Sequence, residues 1–172
     1  MPYTGDGAGK KTDAVMDDTF YSQGLRFACE RCSYCCRIEP GCVYLSENDL
    51  TNLCKWFNLN EAEFVRSFCR AVYNSAGEKV LGLKEKPNYD CILWDRGCTA
   101  YGSRPLQCST YPFWPFIVQN RERWHAEAQD CPGINKGMLH SAEEIEKALL
   151  LYRRNIPLKY AELRRVLKET EL

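Results

Sequence analysis

The chain lacks the features that direct a protein into a membrane or out of the cell. Its longest strongly apolar run, residues 111–118, contains two prolines and is too short to span a bilayer. The N-terminal segment has no apolar stretch of the kind a secretory signal needs. Lysine plus arginine balance aspartate plus glutamate at 23 each, so no net charge attracts nucleic acid or an anionic membrane. From these absences we expect a cytoplasmic protein without a membrane or nucleic-acid partner.

Signatures of catalysis are scarce as well. The chain contains two histidines, His125 and His140, for which we expect packing or surface roles. It has no glycine-rich loop for a phosphate or cofactor and no C-x3-C-x2-C spacing of the radical-initiating kind. Asp90 and Asp130 each precede a cysteine and Asp95 lies three residues before Cys98, but aspartate at such positions is typical of turns. Whether the protein is an enzyme stays open at this level.

Cysteine, by contrast, is abundant, with eleven residues in a chain of 172. A reducing cytoplasm and an odd count both argue against a set of structural disulfides. Cys29, Cys32, Cys35 and Cys36 fall within eight residues, a density that indicates metal binding rather than an ordinary core. The spacing C-x2-C-x2-C is that of bacterial ferredoxins. Because adjacent side chains diverge, we expect Cys36 to reach a second site or to bridge.

Further along the chain, single cysteines stand at positions that suit metal ligands. Cys91 and Cys98 lie on the two arms of a predicted hairpin that turns at residues 95–97, which would present two thiols to one metal. Cys108 lies on a short predicted helix that opens with a proline. Cys131 precedes a proline, as does the last ligand cysteine of the ferredoxin motif, and it lies far from the first cysteine run.

The other three cysteines have different surroundings. Cys54 and Cys69 fall on or near the apolar stripes of two predicted helices, so we expect them in the core, where free cysteine behaves as a small hydrophobe. Cys42 lies six residues beyond Cys36, and its status as a ligand stays open.

Arginines are interleaved with the first cysteines at positions 26, 31 and 37. Clustered thiolates carry negative charge, and guanidinium groups can offset that charge and donate hydrogen bonds to sulfur. The alternative is a solvated loop face. We favour a role beside the thiolates for Arg37, and for Arg31 both interpretations stay open.

The segments around the cysteines predict an α+β fold. Residues with capping character at Ser46, Asn60 and Ser141 open predicted helices. Residues 78–128 predict a small antiparallel sheet, which includes a strand over residues 79–83, the hairpin and a strand near residues 124–128. Loops rich in cysteine would surround a metal centre, and a helical hairpin would follow at the C-terminus.

Three regions follow from this interpretation. We expect a flexible N-terminal arm at 1–24, a cysteine-cluster metal-binding domain at 25–137 and a C-terminal helical extension at 138–172. The second helix of the extension is predicted over 158–168, and its basic residues leave a protein partner open, although a solvated face is favoured. Nothing in the sequence indicates an oligomeric state.

The combined pattern resembles a known family. The motifs that carry the resemblance are the first cysteine run, the Cys91 and Cys98 pair, Arg104-Pro105-Leu106-Gln107-Cys108, Tyr111-Pro112-Phe113-Trp114-Pro115 and Cys131-Pro132-Gly133-Ile134. From about Phe27 to Gly137 the chain is similar to the YkgJ-like cysteine-cluster proteins, a family described as zinc- or iron-chelating and often as containing an iron–sulfur cluster. The resemblance implies a set of eight metal ligands, namely Cys29, Cys32, Cys35, Cys36, Cys91, Cys98, Cys108 and Cys131. It implies no defined activity.

Two metals suit this ligand set. Zinc takes four thiolates in a tetrahedral, structural site, whereas a 4Fe-4S cluster takes four thiolates and adds redox capacity. Ligand softness does not separate them. The ferredoxin-like spacing and the Cys131-Pro132 pair favour an iron–sulfur cluster, while the adjacent Cys35 and Cys36 favour a dinuclear zinc arrangement.

Three functions therefore stay open. The favoured one is a cytosolic protein that holds an iron–sulfur cluster, or clusters, for electron transfer, sensing or metal handling. The first alternative is a zinc-stabilised interaction module without redox activity. The second alternative is a cluster-assisted transferase.

Overall fold

The computed structural model describes residues 19–37 and 40–163. Within these residues the chain forms helices and two antiparallel sheets of two strands each, which confirms the α+β prediction. The strands are β1 (Leu25–Phe27), β2 (Cys69–Tyr73), β3 (Lys79–Leu83) and β4 (Met138–His140). The α-helices are α1 (Glu47–Phe57), α2 (Glu61–Phe68), α3 (Leu106–Thr110), α4 (Arg121–Asp130) and α5 (Ala142–Arg154). No helix in this part of the chain is long and apolar enough to cross a bilayer.

Three of the helices begin at capping boxes, as the sequence predicts. In each box the N-cap side chain accepts a hydrogen bond from the backbone N–H three residues on, and the carboxylate at that position accepts one from the N-cap N–H. The pairs are Ser46 with Asp49 in α1, Asn60 with Glu63 in α2, and Ser141 with Glu144 in α5. A cap of this kind typically contributes about 1 kcal/mol. These helix starts are therefore specified by local sequence.

The first core forms where α1 and α2 pack against the β2–β3 pair. The two strands are in register from Cys69 opposite Leu83 to Tyr73 opposite Lys79. The buried residues of the first core are Leu45, Leu50, Leu53, Cys54, Phe64, Val65, Cys69, Leu81, Leu83, Leu93, Ala100 and Leu163. Cys54 and Cys69 are thus core residues, as predicted, but Cys69 begins strand β2 and does not lie in a helix, because α2 ends at Phe68.

The second core lies around the β1–β4 pair, α4 and α5. Its buried residues are Tyr21, Phe113, Ile117, Val118, Trp124, Cys131, Ile134, Ala142, Ile145 and Leu149. The rings of Phe113 and Trp124 stack at 7° with centroids 6.1 Å apart. The β1–β4 pairing sets Leu25 opposite His140, so the segment after the last predicted ligand returns to the start of the cysteine region.

Two predicted elements in the 78–128 region, a strand and a hairpin, are wrong. Residues 124–128, predicted as a strand, lie within helix α4, because the Asn120 side chain caps the Arg123 N–H and the following residues favour helix. The predicted 91–101 hairpin is a succession of turns, with a single bridge between Trp94 and Cys98. The strand predicted at 79–83 is confirmed as β3.

The ends of the chain lie partly outside the described residues. Of the arm predicted at 1–24, residues 1–18 are not described, while the buried Tyr21 donates a hydrogen bond from its hydroxyl to Glu146 of α5 at 2.5 Å. Of the helix predicted over 158–168, residues 160–163 are helical and Leu163 is buried in the first core. The basic positions 164, 165 and 168 lie outside the described residues.

Candidate metal centre

All eight predicted ligands line one cavity of about 290 Å³, which we call the cysteine cavity. Leu83 and Leu93 of the first core form part of its wall, and Phe27 and Tyr111, which pack on the second core, form another part. The cavity thus lies where the two cores meet. The eight cysteines are Cys29, Cys32, Cys35, Cys36, Cys91, Cys98, Cys108 and Cys131, and all of them are free thiols. The structure therefore gathers sulfurs that are spread over about a hundred positions of the sequence around one space.

The first cysteine run follows an irregular path that turns its thiols towards the cavity. Ser33 adopts a left-handed backbone conformation, with φ of 68°, and a single 3-10 turn follows over Tyr34–Cys36. The turn brings the sulfurs of Cys35 and Cys36 to 3.9 Å from each other. The expectation that these adjacent side chains diverge was wrong, because it assumed an extended chain. A hydrogen bond from Cys36 lowers the pKa of the Cys35 thiol to about 7 and raises that of Cys36.

Cys91 and Cys98 are held by backbone contacts of the turn-rich 84–101 segment. The Cys91 N–H donates to the carbonyl of Cys36 at 2.8 Å, which ties the segment to the first cysteine run. The Trp94 N–H donates to the Cys91 carbonyl at 2.9 Å, and Trp94 also bridges to Cys98. Burial raises the pKa of both thiols, and hydrogen bonds from the backbone of Leu93 and Ala100 oppose that effect.

Helix α3 carries Cys108, and two polar side chains fix it. The Asp49 carboxylate, in the α1 capping box, accepts the Leu106 N–H at 2.8 Å and the Asn155 side-chain amide at 2.9 Å. Gln107 donates to the Cys42 carbonyl at 2.8 Å and accepts the backbone N–H of residue 44 at 2.9 Å. These contacts join α3 to α1, to the end of α5 and to the first cysteine region. Sequence inspection missed both residues, since their partners lie far along the chain.

Cys131 follows directly on helix α4 and reaches the cavity from the second core. Its N–H donates to the Glu127 carbonyl at 2.9 Å. The Tyr111 hydroxyl, which also borders the cavity, donates to the Glu127 carboxylate at 2.7 Å. Burial raises the pKa of Cys131, and hydrogen bonds from Tyr111 and from the Gly133 backbone oppose this by favouring the thiolate.

The donor chemistry fits a thiolate-bound metal. Soft sulfur ligands suit zinc and iron–sulfur clusters, and backbone N–H groups that face sulfur stabilise the charged form a metal requires. The volume is roughly ten times the ~30 Å³ that one water molecule occupies in the liquid, so it has room for more than a single ion. Among the described residues, no three His, Cys, Asp or Glu side chains are yet drawn together closely enough to hold one ion.

Three arginines line the cysteine cavity, namely Arg31, Arg96 and Arg104. The guanidinium groups of Arg31 and Arg104 both lie over the ring of Tyr101, at 4.2 and 3.9 Å from its centroid. The charge of Arg104 acts to lower the pKa of the Cys35, Cys98 and Cys108 thiols, although burial keeps the pKa of Cys98 and Cys108 above the ordinary value. Sequence inspection named Arg104 in the motif that ends at Cys108 but assigned it no role beside the thiols.

The other two arginines considered beforehand contact different groups. Arg37 pairs with the buried Asp90 at 3.0 Å and lies 3.9 Å from the centroid of the Trp94 ring. Arg26 donates to the carbonyl of Gly137 at 2.8 Å. Arg26 thus supports a loop near the cavity, and Arg37, which is not part of the cavity lining, borders a neighbouring cavity that Cys35, Cys36, Cys91 and Cys108 also line.

Cys42 lines a neighbouring cavity, which we call the side cavity, together with Cys35, Cys36, Cys91 and Cys108. Its pKa is raised by burial and lowered in part by the nearby Arg70. Cys42 is not part of the lining of the cysteine cavity.

The histidines lie away from the cavity lining. His140 contacts the Phe27 carbonyl through Nε2 at 3.1 Å and packs edge-on to Phe113, and His125 is exposed on α4. Both positions agree with the packing and surface roles expected from the sequence.

Comparison with known proteins adds the family. The model of the CxxCxxCC family, described as "Putative zinc- or iron-chelating domain", matches residues 28–132. That range is more than half of the chain and contains every cysteine that lines the cavity. No solved structure matches the chain. The protein belongs to the CxxCxxCC family of zinc- or iron-chelating domains.

Proposed function

We propose that this metal-binding protein holds an iron–sulfur cluster, or clusters, and serves in electron transfer, sensing or metal handling. The observation that carries the proposal is the cysteine cavity itself, where eight free thiols surround about 290 Å³. A space of this size with this many sulfurs suits a polynuclear centre better than one isolated ion.

Two further features support a cluster. The run Cys29, Cys32 and Cys35, with Cys131 before a proline, has the spacing that ferredoxins use for clusters. The arginines at the cavity offset the negative charge that thiolates bring, and neighbouring positive charge raises the reduction potential of such a centre.

Exposure at the cavity supports a role in exchange with partners in solution. Cys29, Cys32 and Cys35 are exposed, so a cluster bound there would lie at the protein surface. An iron–sulfur cluster supplies reversible one-electron chemistry, and a surface position permits electrons, oxidants or metal ions to reach it. A purely structural centre gains nothing from this exposure.

The zinc-stabilised interaction module stays the second candidate, because one contact favours it. The sulfurs of Cys35 and Cys36 lie 3.9 Å apart, and adjacent thiolates suit two neighbouring metal ions. In that case the basic end of α5, with Arg153 and Arg154, would be the part available to a protein partner.

Anaerobic purification followed by reconstitution with iron and sulfide separates the two. We expect a brown protein with broad visible absorbance and equal amounts of iron and sulfide. Cys54→Ser is the matched control, since Cys54 lies in the first core and should leave the spectrum unchanged. A colourless protein that retains stoichiometric zinc through the same treatment would select the zinc module instead.

A further inference from the structure

The eight cysteines of the cavity differ in solvent exposure, and the exposed ones all belong to the first cysteine run. Cys29, Cys32 and Cys35 are exposed. The four that are half-buried are Cys36, Cys91, Cys98 and Cys108. Cys131, the remaining one, is buried in the second core. The exposed and half-buried thiols therefore form an outer and an inner group along the cavity.

Backbone contacts link the half-buried cysteines to one another. Cys91 donates its N–H to the carbonyl of Cys36 at 2.8 Å, and the Trp94 bridge ties Cys98 to the same segment. The side cavity is lined by Cys36, Cys91 and Cys108 but not by Cys98. The charges of Cys91, Cys35 and Cys98 add to burial in raising the pKa of Cys108. The Cys35 hydrogen bond, burial and the charges of Cys108 and Cys91 raise the pKa of Cys36, so the four half-buried thiols and Cys35 are neighbours.

Separate contacts link Cys131 to the exposed run. The Ala28 N–H, next to Cys29, donates to the carbonyl of Gly133 at 3.2 Å. Residue 27 bridges to residue 134 on the same two segments. A small surface cleft places Cys32 beside both neighbours of Cys131 in sequence, Asp130 and Pro132. These contacts join one end of the first cysteine run to the end of α4.

Cys35 lies at the junction between the two groups. It borders the side cavity with the half-buried cysteines, yet it is exposed and follows Cys32 by the two-residue spacing that lets a pair chelate one metal. The half-buried group already supplies four thiolates without Cys35. The count therefore assigns Cys35 to the exposed group, which otherwise has three.

We propose that the cavity holds two separate four-thiolate metal sites that meet at Cys35 and Cys36. The outer site consists of Cys29, Cys32, Cys35 and Cys131, and the inner site consists of Cys36, Cys91, Cys98 and Cys108. This division rests on the proposed metal-binding function and specifies its sites. The outer site is the solvent-facing and exchangeable one, and the inner site is the protected one.

Zinc alone, added to the full chain under anaerobic reducing conditions, tests the division. Native mass spectrometry should find two zinc ions per wild-type chain, one in Cys32→Ser, one in Cys98→Ser and none in the double variant. Cys32 is exposed, so its replacement leaves folding intact even if Cys98→Ser proves unstable. Cys42→Ser is the matched control because it borders the side cavity but belongs to neither set, and it should retain two ions.

Release of zinc to a chelator distinguishes the two sites by rate. Wild-type protein should release one ion quickly and one slowly, and Cys32→Ser and Cys35→Ser should each lack the fast phase. One zinc ion in the wild type, loss of both ions in Cys32→Ser, or loss of the slow phase in Cys35→Ser would overturn the division. Failure to bind either zinc or a cluster would overturn the metal-binding function as well, so the two failures are distinguishable.

Discussion

Cys54 and Cys69 in the first core are 7% and 5% exposed, whereas Cys29, Cys32 and Cys35 at the cavity are exposed. The core pair lies among leucine and phenylalanine side chains, and burial raises the pKa of Cys54 to about 11 and that of Cys69 to about 12. Burial also raises the pKa of cavity thiols such as Cys91 and Cys98, but there backbone N–H groups and, for Cys98, the charge of Arg104 oppose that effect. The same residue type thus serves as a small hydrophobe in one region and lines the candidate metal site in the other.

Stability has a different source in each region. The first core contains regular helices and strands with a continuous buried cluster. The cavity wall is made largely of turns, isolated bridges and one short helix, which bury little apolar surface of their own. Segments of this kind open at low free-energy cost unless a bound group holds them together.

Removal of the metal should give the largest difference between the two regions. A ligand present at 1,000 times its Kd stabilises the folded state by about 4 kcal/mol. For a chain of this size that corresponds to a fall in Tm of about 8–16 °C on chelation. Hydrogen exchange should show loss of protection at residues 29–37 and 91–108, with 61–83 retained. Uniform loss of protection across both regions would contradict the comparison.

Exchanging cysteine for serine should produce opposite results in the two regions. Cys91→Ser removes a cavity sulfur and should lose metal, with lowered solubility of the metal-poor protein. Cys69→Ser should retain metal but lose about 1–3 kcal/mol of unfolding free energy, because a buried hydroxyl there lacks a partner. Metal analysis and denaturant unfolding of both variants measure the two effects. Full metal retention with wild-type melting in Cys91→Ser would contradict this prediction.

The features that sequence predicted are those set by near neighbours. The capping boxes at Ser46 and Ser141 each depend on a residue three positions away, and both formed as predicted. The core placement of Cys54 and Cys69 followed from apolar periodicity. The set of eight cysteines came from the family resemblance, and the structure brings all of them to one cavity.

What sequence could not predict depends on distant contacts or on backbone dihedrals. Residues 124–128, which were expected to form a strand, are part of α4. The helix cap at Asn120 outweighs the β-propensity of the aromatic Trp124. Asp49 contacts Leu106 and Asn155, which lie 57 and 106 positions further along the chain. No local sequence pattern predicts these contacts. The approach of Cys35 to Cys36 depends on a left-handed residue just before them. Each of these features positions a candidate ligand, so the sequence could name the candidate ligands but could not predict their arrangement.

Arg104→Gln should lower the metal affinity of the cysteine cavity without changing the first core. Arg104 acts on the thiols of the cavity by its charge, and removal of a group that supports metal ligands typically lowers metal affinity about 10–100-fold. Zinc competition with a chromophoric chelator measures this change. Arg66→Gln, an exposed replacement at the end of α2, is the matched control and should leave zinc affinity unchanged. Equal affinities in the two variants would exclude a charge role for Arg104.

The smallest expected effect is a pH dependence with opposite signs in the two regions. The folded-state pKa values of Cys54 and Cys69, about 11 and about 12, lie above the ordinary thiol value of about 8.5. The stability that their neutral forms contribute is therefore complete below about pH 8.5 and is lost as pH rises through these folded-state values. Cavity thiols bind metal as thiolates, so protons compete with the metal and its affinity falls as pH decreases. Denaturant unfolding of metal-loaded protein should thus show a loss of stability at alkaline pH, and a Cys54→Ala/Cys69→Ala variant should reduce that loss. The same protein should lose metal at acid pH, and the variant should leave this loss unchanged. If the double variant instead changed the loss of metal at acid pH, the two regions would not be independent. Cys54 and Cys69 would then contribute to metal binding together with the cysteines of the cavity.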